Sequence, residues 1–250
     1  MRPFLWILLI LANLVKAPGN LVPQNGSSQV MSSDRKVAWT ADWAMQQTEL
    51  EQKRAVRFTE NGSGRTSAFP REVRWSAEAT WLADNDFQPV DIQKTITAAD
   101  GTPLLEERKH FDRVKGTVRF ERRKGTGRTE TSTLEAPPDT LAVEGLAAVL
   151  RFATIDEEHS LAAHVLSNEP RVYSVSFEFR GKEHIKTPAG EFDCYKVEMV
   201  PHLGVMNLFR PFITKTFFWY TVAAPHNWVR YEGSENGPGT PSVAMELTRK

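Results

Sequence analysis

At 250 residues, 40% hydrophobic and 25% charged, the chain has the make-up of a globular protein with one large or two small domains. Its 31 basic and 31 acidic side chains cancel, so no overall field draws in nucleic acid, and a single cysteine excludes an intrachain disulfide. Seven Trp and 14 Phe are a generous supply of rings, each able to bury ~150–250 Å² and anchor a sheet.

The chain opens with a positive charge in Met1-Arg2-Pro3, followed by an uncharged, mostly apolar run over 4–15. As a helix that run reaches only ~18 Å, short of the ~30 Å hydrocarbon core. This is the pattern of a secretory signal peptide over 1–17, with Val15-Lys16-Ala17 at the cleavage positions. Pro18 directly afterwards is awkward for a peptidase and leaves open an uncleaved N-terminal anchor. No cysteine follows the run, which excludes bacterial lipoprotein processing. The expected location is exported, periplasmic or secreted. Residues 18–34, with Pro18, Gly19 and a polar stretch, read as a flexible linker, and 35–250 as one domain.

Alternation then sets the pattern. Val37, Trp39, Ala41, Trp43 and Met45 fall on every second position and predict the first strand. Residues 55–58 predict a second, and Asn61-Gly62-Ser63-Gly64 a hairpin tip. Val73, Trp75, Ala77, Ala79 and Trp81 alternate strictly, and Asp84-Asn85-Asp86 turns the chain. Strands over 92–97, 104–111 and 114–122 follow, with turns at Asp100-Gly101 and Lys124-Gly125-Thr126-Gly127. Pro137 and Pro138 break the rhythm, and Thr140 is placed to cap a helix over 143–152 that carries Leu146, Val149 and Leu150 at helical spacing. Residues 160–166 alternate again.

The clearest stretch lies over 171–233. Tyr173, Val175, Phe177 and Phe179 form one face of a strand that Gly181 interrupts as a bulge. Thr187-Pro188-Ala189-Gly190 turns it, and the return strand puts Tyr195, Val197 and Met199 opposite Phe192 and Cys194. An aromatic run over 217–222 turns at Ala224-Pro225-His226-Asn227 and returns over 228–233, and 243–247 is the last strand. Many strands, short turns and one helix predict a mainly β fold: a curved antiparallel sheet, a half-barrel or open barrel, with its single short helix at a mid-chain crossover. One helix does not cover so many strands, so the sheet must curl on itself.

No catalytic constellation emerges. Cys194 lacks an evident activating base, and His184 lies across a turn without a clear shared face. The histidines at 110, 159, 164, 184, 202 and 226 are scattered, so neither a metal site nor a cofactor is expected. Gly125-Thr126-Gly127 lacks the rest of a phosphate loop. Residues 106–128 are rich in Arg and Lys, and read as solvated strands or as a surface for anionic headgroups or an acidic partner. The feature that points to binding is an aromatic stripe of Trp39, Trp43, Trp75, Trp81, Phe177, Phe179, Phe218 and Tyr220 on one concave face. Alternation alone does not separate a packed core from a cavity for an apolar ligand.

Lys186-Thr187-Pro188-Ala189-Gly190-Glu191-Phe192-Asp193-Cys194-Tyr195-Lys196-Val197, with Glu183 before it, Phe218-Trp219-Tyr220 and 228–233 after it, resembles the C-terminal half of the bacterial exported family called domain of unknown function 3108. The resemblance covers about 140–249 and is densest at the hairpin. That family is similar to the lipoprotein-carrier half-barrels. It implies an envelope location and a curved antiparallel sheet around a helix, and carries over no catalytic residue. The expected function is an exported, non-enzymatic binding domain for an apolar small molecule, a lipid or a lipidated partner. The alternative is a structural or assembly factor of the cell envelope, with a filled core and an envelope protein as partner.

Overall fold

The structure is a computed structural model and describes residues 23–31, 36–83, 87–153, 155–202, 214–237 and 239–249. The N-terminal half holds strands β1 (Gln24–Met31), β2 (Val37–Leu50), β3 (Lys53–Gly64), β4 (Val73–Leu82), β5 (Gln88–Ala98), β6 (Pro103–Asp112), β7 (Thr117–Lys124) and β8 (Thr129–Glu135). After β9 (Thr140–Ala142) and the helix α1 (Leu146–Leu150) come β10 (Leu161–Leu166), β11 (Val172–Thr187), β12 (Gly190–Pro201), β13 (Thr216–Thr221), β14 (Trp228–Ser234) and β15 (Ser242–Arg249).

All fifteen strands form one sheet, in the order β8-β7-β6-β5-β4-β3-β2-β1-β15-β14-β13-β12-β11-β10-β9. Each strand from β2 to β8 pairs antiparallel with its neighbour in sequence, and so does each from β10 to β15. β1 lies between β2 and β15 and joins the two runs. The sheet stays open between β8 and β9, which are consecutive in the chain. Only β9–β10 is parallel, because α1 is the crossover between them. This is the curved, mostly antiparallel sheet with one short helix that alternation predicts.

Period-two burial explains the curl. In β4, Val73, Ala77, Ala79 and Trp81 are buried while Arg74, Ser76 and Glu78 are exposed. Outward positions such as Arg57, Glu78, Arg108 and His110 face water. The inward residues meet in one core that includes Met45, Phe58, Trp81, Phe111, Phe120, Phe177 and Phe218, closed by Leu146, Val149 and Leu150 of α1. Gly145, at φ +75°, starts the helix and lets the rings of Phe58 and Trp81 come within 3.3 Å of where a side chain would stand. Tyr220 Oη donates to the Ala147 carbonyl at 2.9 Å and ties the helix to β13.

Polar side chains bridge the open seam. Lys109 of β6 meets Glu144 just before α1 at 2.6 Å, with side-chain exposures of 0% and 5%. Arg122 of β7 reaches Glu169 at 3.1 Å and the Asn168 carbonyl in the β10–β11 turn. Gln88 Nε2 donates to the Pro138 carbonyl at 2.8 Å. Ion pairs and hydrogen bonds thus hold the two flanks of the sheet together where no ladder does.

Gly181 bends β11 as expected, at φ +109° with a register shift between Phe179 and Lys182. Past the bend, Ile185, Phe192 and Cys194 pack with Phe217, Trp219 and Val229 in a second, smaller core on the face opposite the main one.

Several expectations are corrected. Residues 18–34 are no simple linker, because β1 occupies Gln24–Met31 and pairs on both sides. Asn61–Gly64 is no hairpin tip: all four lie inside β3, and the chain turns earlier at Glu51 and Gln52, both at positive φ. The helix spans Leu146–Leu150 only, and Thr140 is a buried residue of β9 rather than its cap. The strand expected from 114 begins at Thr117, with Val114 exposed in the preceding turn. β8 has no counterpart in the expected strands. The signal segment 1–17 and the turn at 84–86 lie outside the described residues.

Candidate functional site

Ladder register puts the eight predicted rings on one face. Trp39, Val30, Met245, Tyr231, Phe218, Val197 and Phe179 are successive cross-strand partners around the concave side. Depth divides the set. Trp81 and Phe177 are 0% exposed, and Phe218 and Tyr220 are 4% exposed; these four are core. Trp39, Trp43, Trp75 and Phe179 remain partly exposed. Trp39 and Trp75 meet edge-to-face at 5.1 Å, an arrangement their ring quadrupoles favour. Trp75 Nε1 donates to Glu60 Oε1 at 2.9 Å, and Trp39 Nε1 to Glu235 Oε1 at 3.3 Å.

Each of these three tryptophans faces a glycine across the ladder: Trp39 opposite Gly64, Trp43 opposite Gly26, and Trp75 opposite Gly62. The Trp43 and Trp75 indoles lie across the backbones of Gly26 and Gly62. A Cβ on Gly62 would stand 2.1 Å from Trp75 Cζ2, and one on Gly26 2.7 Å from Trp43 Cζ2. Gly62 is therefore required by close approach, a cross-strand device that pins the ring flat on the sheet. Gly62→Ala is expected to destabilise the domain by about 1–3 kcal/mol, read by denaturant unfolding, and to shift Trp75 fluorescence. Wild-type stability in that variant would show the ring to be loosely held.

The concave face is not uniformly apolar. Trp43, Glu60, Ala77, Lys94, Glu107 and Arg122 are successive partners across β2–β7, so acid and base alternate along an interior row. Arg122 Nε donates to Glu107 Oε1 at 2.7 Å. Burial pushes the Glu60 carboxyl up; the Trp75 N–H and the charge of Lys94 oppose this without cancelling it. Burial also raises Glu144, but the charges of Lys109 and Lys94, with the Lys109 hydrogen bond, together outweigh it and hold the carboxyl below its ordinary value. The basic stretch 106–128 is thus largely internal or paired: Lys109 and Arg122 point inward, and Arg123, Lys115 and Arg119 meet Glu106, Asp112 and Glu121.

Cys194 is 0% exposed inside the second core, opposite Glu183 in the ladder. His184 lies on the other side of the strand, 2.9 Å from Asp193 and 3.5 Å from Glu191, whose hydrogen bonds raise its pKa. The arrangement is not that of a thiol beside its base. Among the described residues no three His, Cys, Asp or Glu are grouped to hold a metal ion. Trp219 also belongs to the second core, donating to Glu183 at 2.9 Å beneath the Lys196 ammonium. Sequence reasoning missed the glycine partners and the interior ionic row. The signal was present as glycine and charge at inward strand positions.

This architecture defines a barrel-like β domain built from a single open sheet, its interior packed at one end and edged with tryptophan at the other. The chain belongs to the family described as "Protein of unknown function (DUF3108)", whose model matches residues 34–248. In fold it is similar to the crystal structure of a β-barrel-like protein of domain of unknown function DUF1849 from Brucella abortus, with a TM-score of 0.50 at 10% identity, covering 91% of this chain and 96% of that one. A Bacteroides fragilis protein described as exported, with a YmcC-like fold, matches at a TM-score of 0.34 and 12% identity over 94% and 98% of the two chains. A Parabacteroides distasonis protein described as a lipoprotein matches at 0.36 and 9% identity over 96% and 99%. No curated protein matches the chain in sequence.

Proposed function

We propose that the protein is an exported, non-enzymatic binding domain that holds the apolar part of a ligand, or of a lipidated partner, on Trp39, Trp43 and Trp75. The observation that carries this reading is the division of the aromatic face. Four rings are sealed in the core, while these three stay partly exposed on rigid strands, two of them fixed by hydrogen bonds to carboxylates. Aromatic planes held in advance bind apolar groups with little ordering entropy left to lose. Glu60 and Lys94 beside them suit a ligand with a polar end. Export rests on the charged start and the short apolar run of 4–15.

The experiment is a titration with N-phenyl-1-naphthylamine, an apolar probe whose emission rises on leaving water. Saturable enhancement is expected, and Trp75→Ala should weaken it by about 3–10-fold while the protein stays folded by circular dichroism. No saturable signal in the wild type would defeat the proposal. The second reading, a filled-core assembly factor of the envelope acting through its outer surface, is favoured by the complete burial of Trp81, Phe177, Phe218 and Tyr220. Unchanged affinity in both Trp39→Ala and Trp75→Ala would move the assignment toward it.

A further inference from the structure

At the opposite end of the same interior lies a cation with no counter-ion among the described residues. Arg151, directly after α1, is 5% exposed. Its guanidinium lies over the Phe152 ring at 5.0 Å, and Nη2 donates to the Pro225 carbonyl in the β13–β14 turn. Nε has no partner, and among the described residues no carboxylate lies within ion-pair distance of it. A second buried donor is unused close by. Trp228, 7% exposed, has no acceptor for Nε1. Both residues adjoin Tyr220: Trp228 is its cross-strand partner, and the charge of Arg151 acts on its phenol. The Tyr220 hydroxyl is already committed to Ala147.

We propose that Arg151 and Trp228 are the donor half of a binding site for an oxyanion, a carboxylate or a phosphate, at the α1 end of the concave face. Guanidinium and indole N–H groups only donate, so the complementary ligand only accepts, and the positive charge selects an anion. Burial lowers the Arg151 pKa to about 10, which leaves it cationic at neutral pH. A buried cation with one carbonyl partner is costly, and an anion docking on its free donor edge relieves that desolvation. The site is separate from the tryptophan platform. Arg151 meets Pro225 before β14 begins, whereas Trp39 meets Glu235 after it ends.

The test is thermal unfolding of the full chain with inorganic phosphate, with decanoate below its micellar range, and with chloride at matched ionic strength. At least one oxyanion is expected to raise Tm over chloride by about 2–4 °C, and Arg151→Gln should abolish the rise. Should that variant fail to fold, Arg151→Lys keeps the charge, loses the forked donors, and should reduce the rise. A response to decanoate alone assigns the site to an amphiphile's carboxylate; a response to phosphate assigns it to a phosphoryl group. An equal rise in wild type and variant, or no rise with either oxyanion, overturns the proposal. Arg108→Gln, which removes an outward-facing cation, should leave the response intact; a loss confined to the Arg151 variants separates this site from the apolar one.

Discussion

Lys109→Met is expected to lower the stability of the domain by about 3–5 kcal/mol, a fall in Tm of roughly 6–20 °C. The reason is the company Lys109 keeps. Its ammonium is wholly buried, 2.6 Å from Glu144, whose second carboxylate oxygen has no other partner. Removing the cation strands a carboxylate in the core. The pH dependence provides a second check. In the wild type Glu144 titrates below its unfolded value, so it contributes stability above the unfolded carboxylate pKa, and that contribution is lost as pH falls through the folded one. In Lys109→Met burial is opposed only by the Lys94 charge and a backbone hydrogen bond, so the folded pKa rises and the loss of stability on acidification shrinks. An unchanged slope in the variant would show that Glu144 is not held by Lys109. The double variant Lys109→Met with Glu144→Gln should recover most of the loss.

Trp81→Ala is expected to cost about 3–5 kcal/mol, more than the same change at Trp39. Trp81 is 0% exposed, packed beside Phe58 and against Gly145 at the start of α1. Its removal leaves a cavity where the helix meets the sheet, and the rings around it cannot close the gap without moving α1. Trp39 is only partly buried to begin with, so its loss removes less buried area. Denaturant unfolding of the two variants side by side decides the point. A Trp81→Ala protein within about 1 kcal/mol of the wild type would mean that the deep half of the face is loosely filled.

The fold was legible wherever one strand face is wet. Tyr173 to Phe179, the bulge at Gly181 and the turn at 187–190 follow from period two and turn chemistry alone. The failures come from partners distant in sequence. Asn61-Gly62-Ser63-Gly64 has the composition of a turn, and what makes it strand is Trp75 lying across Gly62. Lys109 and Arg122 look like solvated charges until Glu144 and Glu169 arrive from the far side of the seam. β1 and β8 are short of apolar residues, and pairing with neighbours holds them as strands. In the aromatic stripe, alternation placed all eight rings on one side but carried no information on depth, which α1 decides by covering one end.

β1 pairs with β15, at opposite ends of the described chain. All other strand partners follow one another during synthesis and can find each other as they emerge. This pair must wait for almost the entire polypeptide, a contact of very long range that is slow to form. Until the last strand is delivered, β1 and β14 present bare hydrogen-bonding edges, the kind of surface on which chains stick to one another. Loss of β15 would therefore yield an aggregating species rather than a smaller working domain.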